Sequence, residues 1–198
     1  MAAARLQQVR ARNILKTTVP MNHHDIIRFG EAGMWCLATV DLNACHAVVI
    51  VSKKAAILTH IAPRPPEAIR DRYSTSEDWI RDMMTKVISC FIANKQYFEH
   101  QGSGGIVIYG IHNKEIALPD QVKLLAATVQ KIVGSNTRPV AYNVLGSSEP
   151  RNSDKGIVLV DGSQSAQPPV VWVEDKRYSL ATPESKTVSS ASTSSQSK

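Results

Sequence analysis

LATVDLNACHAVVIVSKKAAILTHIAP, residues 37–63, holds three runs of aliphatic and β-branched residues separated by two short polar breaks. Runs of this kind, four to eight residues long and bounded by turn-forming residues, read as β-strands. With its flanks the stretch gives predicted strands over 34–40, 46–52 and 55–60, and the Lys53-Lys54 break reads as a tight hairpin turn. Cys45 stands where the chain leaves one strand near Val40 and enters the next at His46, while His60 ends the second arm of the hairpin. Residues equally far from a hairpin turn lie side by side, and Cys45 and His60 are eight and seven residues from Lys53. The spacing therefore predicts a thiol beside an imidazole.

Working outward, further β-branched runs predict strands over 106–111, 139–145, 156–160 and 170–173. Two segments carry helical periodicity. Over 75–97, Trp79, Ile80, Met83, Met84, Val87, Ile88, Phe91 and Ile92 recur in doublets every four residues, and Thr75 or Ser76 can cap the first turn. Over 119–133, Pro119 opens the helix, Gly134 stands just past its end, and Val122, Leu125, Ala126, Val129 and Ile132 face inward. Three strands precede the first helix and the others interleave with the second. This order predicts an α+β fold or layered α/β sandwich with mixed sheets and two main helices, rather than a strictly alternating parallel sheet.

At 198 residues and 43% hydrophobic content, the chain can close one sizeable core. One domain is expected over 21–178. Arg5, Arg10, Arg12 and Lys16 supply most of the +6 formal charge, with no acid among the first sixteen residues, so 1–20 reads as a solvated basic tail. Residues 179–198 are rich in Ser, Thr and Lys, hold few large apolar groups, and read as a disordered tail. The stretch 146–155 reads as a polar loop. Beyond residue 16 no basic stripe with interleaved aromatics occurs, so no nucleic-acid partner is expected. Three unpaired cysteines and the absence of an apolar run of membrane-span or signal-peptide length predict a cytoplasmic protein. The Arg-bearing, acid-free start leaves organellar targeting as the alternative.

The Cys–His pair is the chemistry-bearing feature. A free thiol is a poor nucleophile near neutral pH, and a neighbouring imidazole can take its proton and later return it to a departing amine. His60 would be base and then acid to Cys45. Thr39, six residues before Cys45 at the end of the preceding strand, offers a hydroxyl to hold the second imidazole nitrogen. Backbone N–H groups near Asn43, Ala44 and His46 are candidate oxyanion donors. Each residue also has an ordinary structural role, as core thiol, strand-end histidine and strand threonine, and spacing alone leaves both readings open.

The same segment resembles the bacterial chemoreceptor glutamine deamidases of the CheD family. Their motif carries a Thr six positions before a nucleophilic Cys and a catalytic His closing the next hairpin in a His-hydrophobic-x-Pro context, here Thr39, Cys45 and His60-Ile61-Ala62-Pro63. The similar order extends over residues 26–175: GEAGMWCLATV before the motif, a long helix after it, then GGIVIYGI, a helix ending near Gly134, RPVAYNVLG and GIVLVDG. The Cys–His spacing also resembles that of the cytotoxic-necrotizing-factor deamidase domain. The resemblance implies a deamidase fold and attack of Cys45 on the carboxamide of a protein glutamine, with ammonia released through a thioester. Where the bacterial family has Gly-Ser before the nucleophile, this chain has Asn43-Ala44, and Asn43 is expected to carry the positive φ of that turn. The alternative it leaves is a catalytically inactive protein-binding module of the same fold.

No cofactor motif is assigned. His23, His24 and Asp25, even with His46, His100 or His112, lack zinc-like spacing. Gly102-Ser103-Gly104-Gly105 precedes a strand instead of opening a helix and lacks the Lys of a phosphate loop. Cys36 and Cys90 read as packing residues.

Overall fold

A computed structural model describes residues 2–98, 103–134, 137–146, 155–164 and 167–179. Of the expected loop and C-terminal tail, 147–154 and 180–198 lie outside the described residues, as do His100 and Gly102. The fold is α+β, with two mixed sheets and several helices. The first sheet has the order β1-β3-β9-β10-β11, from Leu15–Thr18 (β1), Cys36–Thr39 (β3), Val158–Asp161 (β9), Val170–Val173 (β10) and Lys176–Ser179 (β11). It is antiparallel except where β1 runs parallel to β3. The second has the order β2-β5-β4-β6-β7, from His23–Arg28 (β2), His46–Val51 (β4), Ala55–Ile61 (β5), Gly104–His112 (β6) and Glu115–Ile116 (β7). Thr137–Asn143 (β8) adds to it parallel to β6.

Alternation of side chains along these strands decides what lies between the sheets. Leu37 of β3 and Val158 and Val160 of β9 face Ala47 and Val49 of β4, Leu58 of β5 and Ile106 and Ile108 of β6 in one buried cluster. The opposite residues of β4, β5 and β6, including Val48, Ile50, Ile57 and Val107, pack under the helices Ser76–Ala93 (α2) and Pro119–Val133 (α3). Strands buried on both faces explain why 46–51 and 55–61 read as continuous apolar runs instead of alternating ones.

The helix boundaries follow the local chemistry. Thr75 caps α2: its Oγ1 accepts from Asp78 N–H at 3.1 Å while Asp78 Oδ2 accepts from Thr75 N–H at 3.1 Å, a reciprocal capping box. Pro119 occupies the first turn of α3, and Gly134 follows at φ 74. Ile92, expected on the buried stripe of α2, is 64% exposed. Twelve residues beyond Ile80, the helical rotation has carried it about a third of a turn off that stripe.

The solvated N-terminal tail expected for 1–20 is corrected by the structure. Residues Ala2–Ala11 form a helix (α1) and 15–18 a strand. Ala2, Leu6 and Val9, spaced on one helical face, cover Cys36, Ala38 and Leu159 on the outer face of the first sheet. Arg5 is a partner rather than free charge: its Nε donates to Asp161 Oδ2 at 2.7 Å, with the carboxylate buried. The folded region also runs one residue past the expected boundary, since Ser179 ends β11. Among the described residues no helix is long and apolar enough to cross a membrane.

Candidate functional site

Cys45, His60 and Thr39 converge on the space between the two sheets. His60 lies on the same face of β5 as Leu58, and Thr39 on the same face of β3 as Leu37. The two-residue turn at Lys53-Lys54 pairs Val51 with Ala56, a register that sets Ala47 opposite His60. Cys45 is therefore not directly across from His60, as equal spacing from the turn suggests, but two residues beyond that partner. Cys45 precedes the paired strand, and its side chain joins the same inter-sheet cluster as Ala47, so thiol and imidazole share one side of the hairpin's end.

The imidazole is held in one tautomer. Thr39 Oγ1, fully buried, donates its single hydrogen to Val19 O at 2.8 Å and lies 2.8 Å from His60 Nδ1. With the hydroxyl hydrogen committed to a carbonyl, that second contact is Nδ1–H donating to Oγ1. Nε2 then carries the lone pair, and it is buried with no hydrogen-bond partner. Burial lowers the His60 pKa from 6.5 to about 4, against a smaller opposing pull from the charge of Asp41. At neutral pH His60 is a neutral imidazole with a free acceptor nitrogen.

Cys45 is 6% exposed, and burial raises its pKa, a rise moderated by the Asn43 backbone N–H directed at the sulfur. No hydrogen bond joins it to Nε2. Its sulfur instead lies 4.0 Å from that of Met21, a residue 53% exposed. The loop before the cysteine is shaped by strain and by glycine. Asp41 and Ala44 adopt left-handed backbone, at φ 60 and 62. The positive φ expected at Asn43 thus falls instead on Asp41 and on the adjacent Ala44, which tolerates it less readily than Asn would. Gly156 lets this loop close: Leu42 N–H donates to Gly156 O at 3.0 Å, and a Cβ on Gly156 would stand 2.4 Å from Leu42 O.

The residues around the candidate oxyanion donors point different ways. His46 points to the opposite face of β4, where its Nε2 contacts Gln121 Oε1 of α3 at 2.9 Å. Gln121 Nε2 in turn donates to Pro63 O at 3.0 Å, so this buried side chain ties the strand that follows Cys45 to the segment that follows His60. Ala44 N–H faces the Tyr142 hydroxyl, and Tyr142 donates to Cys45 O at 2.7 Å. Gln121, Tyr142, Met21 and Asp41 were not legible as site residues in the sequence. Tyr142 and Gln121 arrive from β8 and α3, nearly a hundred residues from the motif in the first case, and only the tertiary fold brings them in. Cys36 lies in the outer layer, donating to Asp161 Oδ1 at 3.5 Å, and Cys90 is partly buried on α2. His23 and His24 lie on the edge strand β2.

No protein-family model and no curated protein matches this chain.

Proposed function

We propose that this chain is a cysteine-dependent amidohydrolase with the fold of the CheD-like deamidases, acting on glutamine side chains of a protein substrate. The observation that carries the reading is the Thr39–His60 hydrogen bond, which fixes the imidazole with its unprotonated Nε2 free on the face that bears Cys45. Nε2 takes the thiol proton as sulfur attacks the carboxamide carbon. The C–N bond breaks as His60 delivers that proton to nitrogen, and ammonia leaves a thioester on Cys45. Water, deprotonated by the same Nε2, then hydrolyses the thioester to give a glutamate and the free thiol. In the imidazolium, Nδ1–H still donates to Thr39, so the threonine supports both protonation states. Since Ala44 N–H faces Tyr142 and Asn43 N–H the sulfur, the reading assigns the oxyanion to the amide of Cys45 itself.

The second reading, a binding module without turnover, is favoured by one observation: the thiol is buried with a raised pKa and makes no hydrogen bond to the imidazole. Incubation with a glutamine-containing peptide library, with mass spectrometry of the amide-to-acid change and coupled detection of ammonia, separates the two. Amidohydrolase function requires product that disappears in Cys45→Ala and His60→Asn. Equal conversion by wild type and Cys45→Ala, or none by either, leaves the binding module.

A further inference from the structure

At the other end of the β4–β5 hairpin from Cys45 and His60, the Lys53-Lys54 turn borders a cavity of about 360 Å³. Its walls bring together three cations, Arg28, Lys53 and Lys54, and three aromatic rings, Phe29, Trp35 and Tyr97. Cavities of this size fall within the range of small-ligand sites. The rings are seated by missing side chains: a Cβ on Gly162 would stand 2.4 Å from Phe29, and one on Gly30 3.1 Å from Trp35. Lys53 and Lys54 are exposed and form no ion pair among the described residues. Arg28 spans the cation and ring sets. Its guanidinium carbon lies 4.9 Å over the Tyr97 ring, Nη1 donates to Glu31 at 3.1 Å and Nη2 to Asn94 Oδ1 at 3.1 Å. Its Nε is buried, with no acceptor among the described residues. Glu31 is the carboxylate tied to this cation set, and it is committed to Arg28 at the rim.

Unpaired positive charge beside aromatic side chains is the pattern that recognises a flat ring carrying a phosphate: the rings offer stacking area and the lysines offset the charge. We propose that this cavity is a binding site for a nucleoside monophosphate, its base against the aromatic side chains and its phosphate toward Lys53 and Lys54. The site is distinct from the Cys45 site and does not depend on the deamidase reading.

Isothermal titration calorimetry of the full chain with AMP, adenosine and inorganic phosphate tests it. AMP is expected to bind about tenfold or more tighter than either fragment, and Lys53→Ala/Lys54→Ala to weaken AMP by about tenfold. That double variant lies on an exposed turn, and an unchanged thermal midpoint checks its folding. Amide NMR shifts on AMP addition should centre on Lys53, Lys54 and Trp35. Equal affinities for AMP and phosphate, equal affinities for AMP and adenosine, undetectable AMP binding, or a double variant that keeps wild-type affinity would each overturn the proposal.

Discussion

Acidification should destabilise this protein through His60 before its carboxylates titrate. Burial holds the folded-state pKa near 4, against 6.5 for a free imidazole. Above pH 6.5 the ring is neutral in both states and contributes nothing to pH dependence. As pH falls below 6.5 the unfolded chain binds a proton that the folded chain refuses, so unfolding becomes easier, and the effect levels off below about 4, where the folded state also protonates. The interval from 6.5 to about 4 corresponds to about 3 kcal/mol of stability lost. With an ordinary domain stability of about 5–15 kcal/mol, that loss is large enough to measure.

The assay is urea unfolding followed by tryptophan fluorescence, with wild type and His60→Asn compared between about pH 7 and about pH 4. Burial also lowers the pKa values of His46 and His24, and both act in the same direction in either protein, so the difference between the two isolates His60. Asp161, whose carboxyl is held below its usual value with Arg5 and Ser163 as its stabilising partners, loses its contribution as pH falls through a value under 3.8, outside this window. The wild-type advantage should shrink by about 3 kcal/mol across the interval. A difference constant to within about 0.5 kcal/mol would mean that His60 titrates alike in both states, and the buried, neutral imidazole would be wrong.

Other perturbations have equally definite outcomes. Gly156→Ala places a Cβ against Leu42 backbone at a residue with φ 65, and should cost about 2 kcal/mol or more in urea unfolding while distorting the loop that carries Cys45. Tyr142→Phe leaves the Cys45 carbonyl without its donor and should cost about 1–2 kcal/mol, with no change in secondary structure by circular dichroism. Deleting residues 1–11 uncovers Ala38 and Leu159 and strands Asp161, so stability should fall by about 3 kcal/mol; an unchanged unfolding midpoint would restore the view of this segment as a tail. Met21→Ala removes the side chain whose sulfur touches the thiol, and alkylation of Cys45 by iodoacetamide, read by peptide mass spectrometry, should accelerate several-fold relative to Cys90.

What could be read from sequence divides along physical lines. Strands β3 to β6 and β9 and β10 announced themselves as buried apolar or β-branched runs, β8 by the run around Val140 and Tyr142, and both long helices by their regular period. The strands β1 (LKTT), β2 (HHDIIR), β7 (EI) and β11 (KRYS) did not: they are short, polar or largely exposed, and tertiary pairing makes them strands. Helix α1 escaped for a related reason, since Ala2, Leu6 and Val9 are a thin apolar stripe among charges, and only the sheet beneath shows what it covers. The hairpin was legible to within two residues, because a two-residue turn fixes register, and that was enough to put Cys45 and His60 on one face. The lock on the imidazole was legible only in half. Thr39 follows from its spacing, whereas Val19 O, which consumes the hydroxyl hydrogen and so decides the tautomer, carries no side-chain signature at all.

The electrostatics constrain how such a site can react. With the thiol above its ordinary 9.0 and the imidazole near 4, separating charge between isolated Cys45 and His60 costs at least about 7 kcal/mol. Contact at about 4 Å returns about 4 kcal/mol at the effective dielectric of a protein site. A thiolate–imidazolium pair therefore lies a few kcal/mol above the neutral pair at rest, which agrees with the missing Sγ–Nε2 hydrogen bond. A penalty of that size is small beside the barrier of about 14–17 kcal/mol that corresponds to ordinary turnover, so it does not prevent catalysis. On the proposed amidohydrolase reading it would move the proton transfer into the attack step, with sulfur losing its proton to Nε2 as the carboxamide arrives. The resting protein should then alkylate at Cys45 only as pH rises beyond the ordinary thiol range, and a reaction already at its plateau near neutral pH would show that the ion pair exists without substrate.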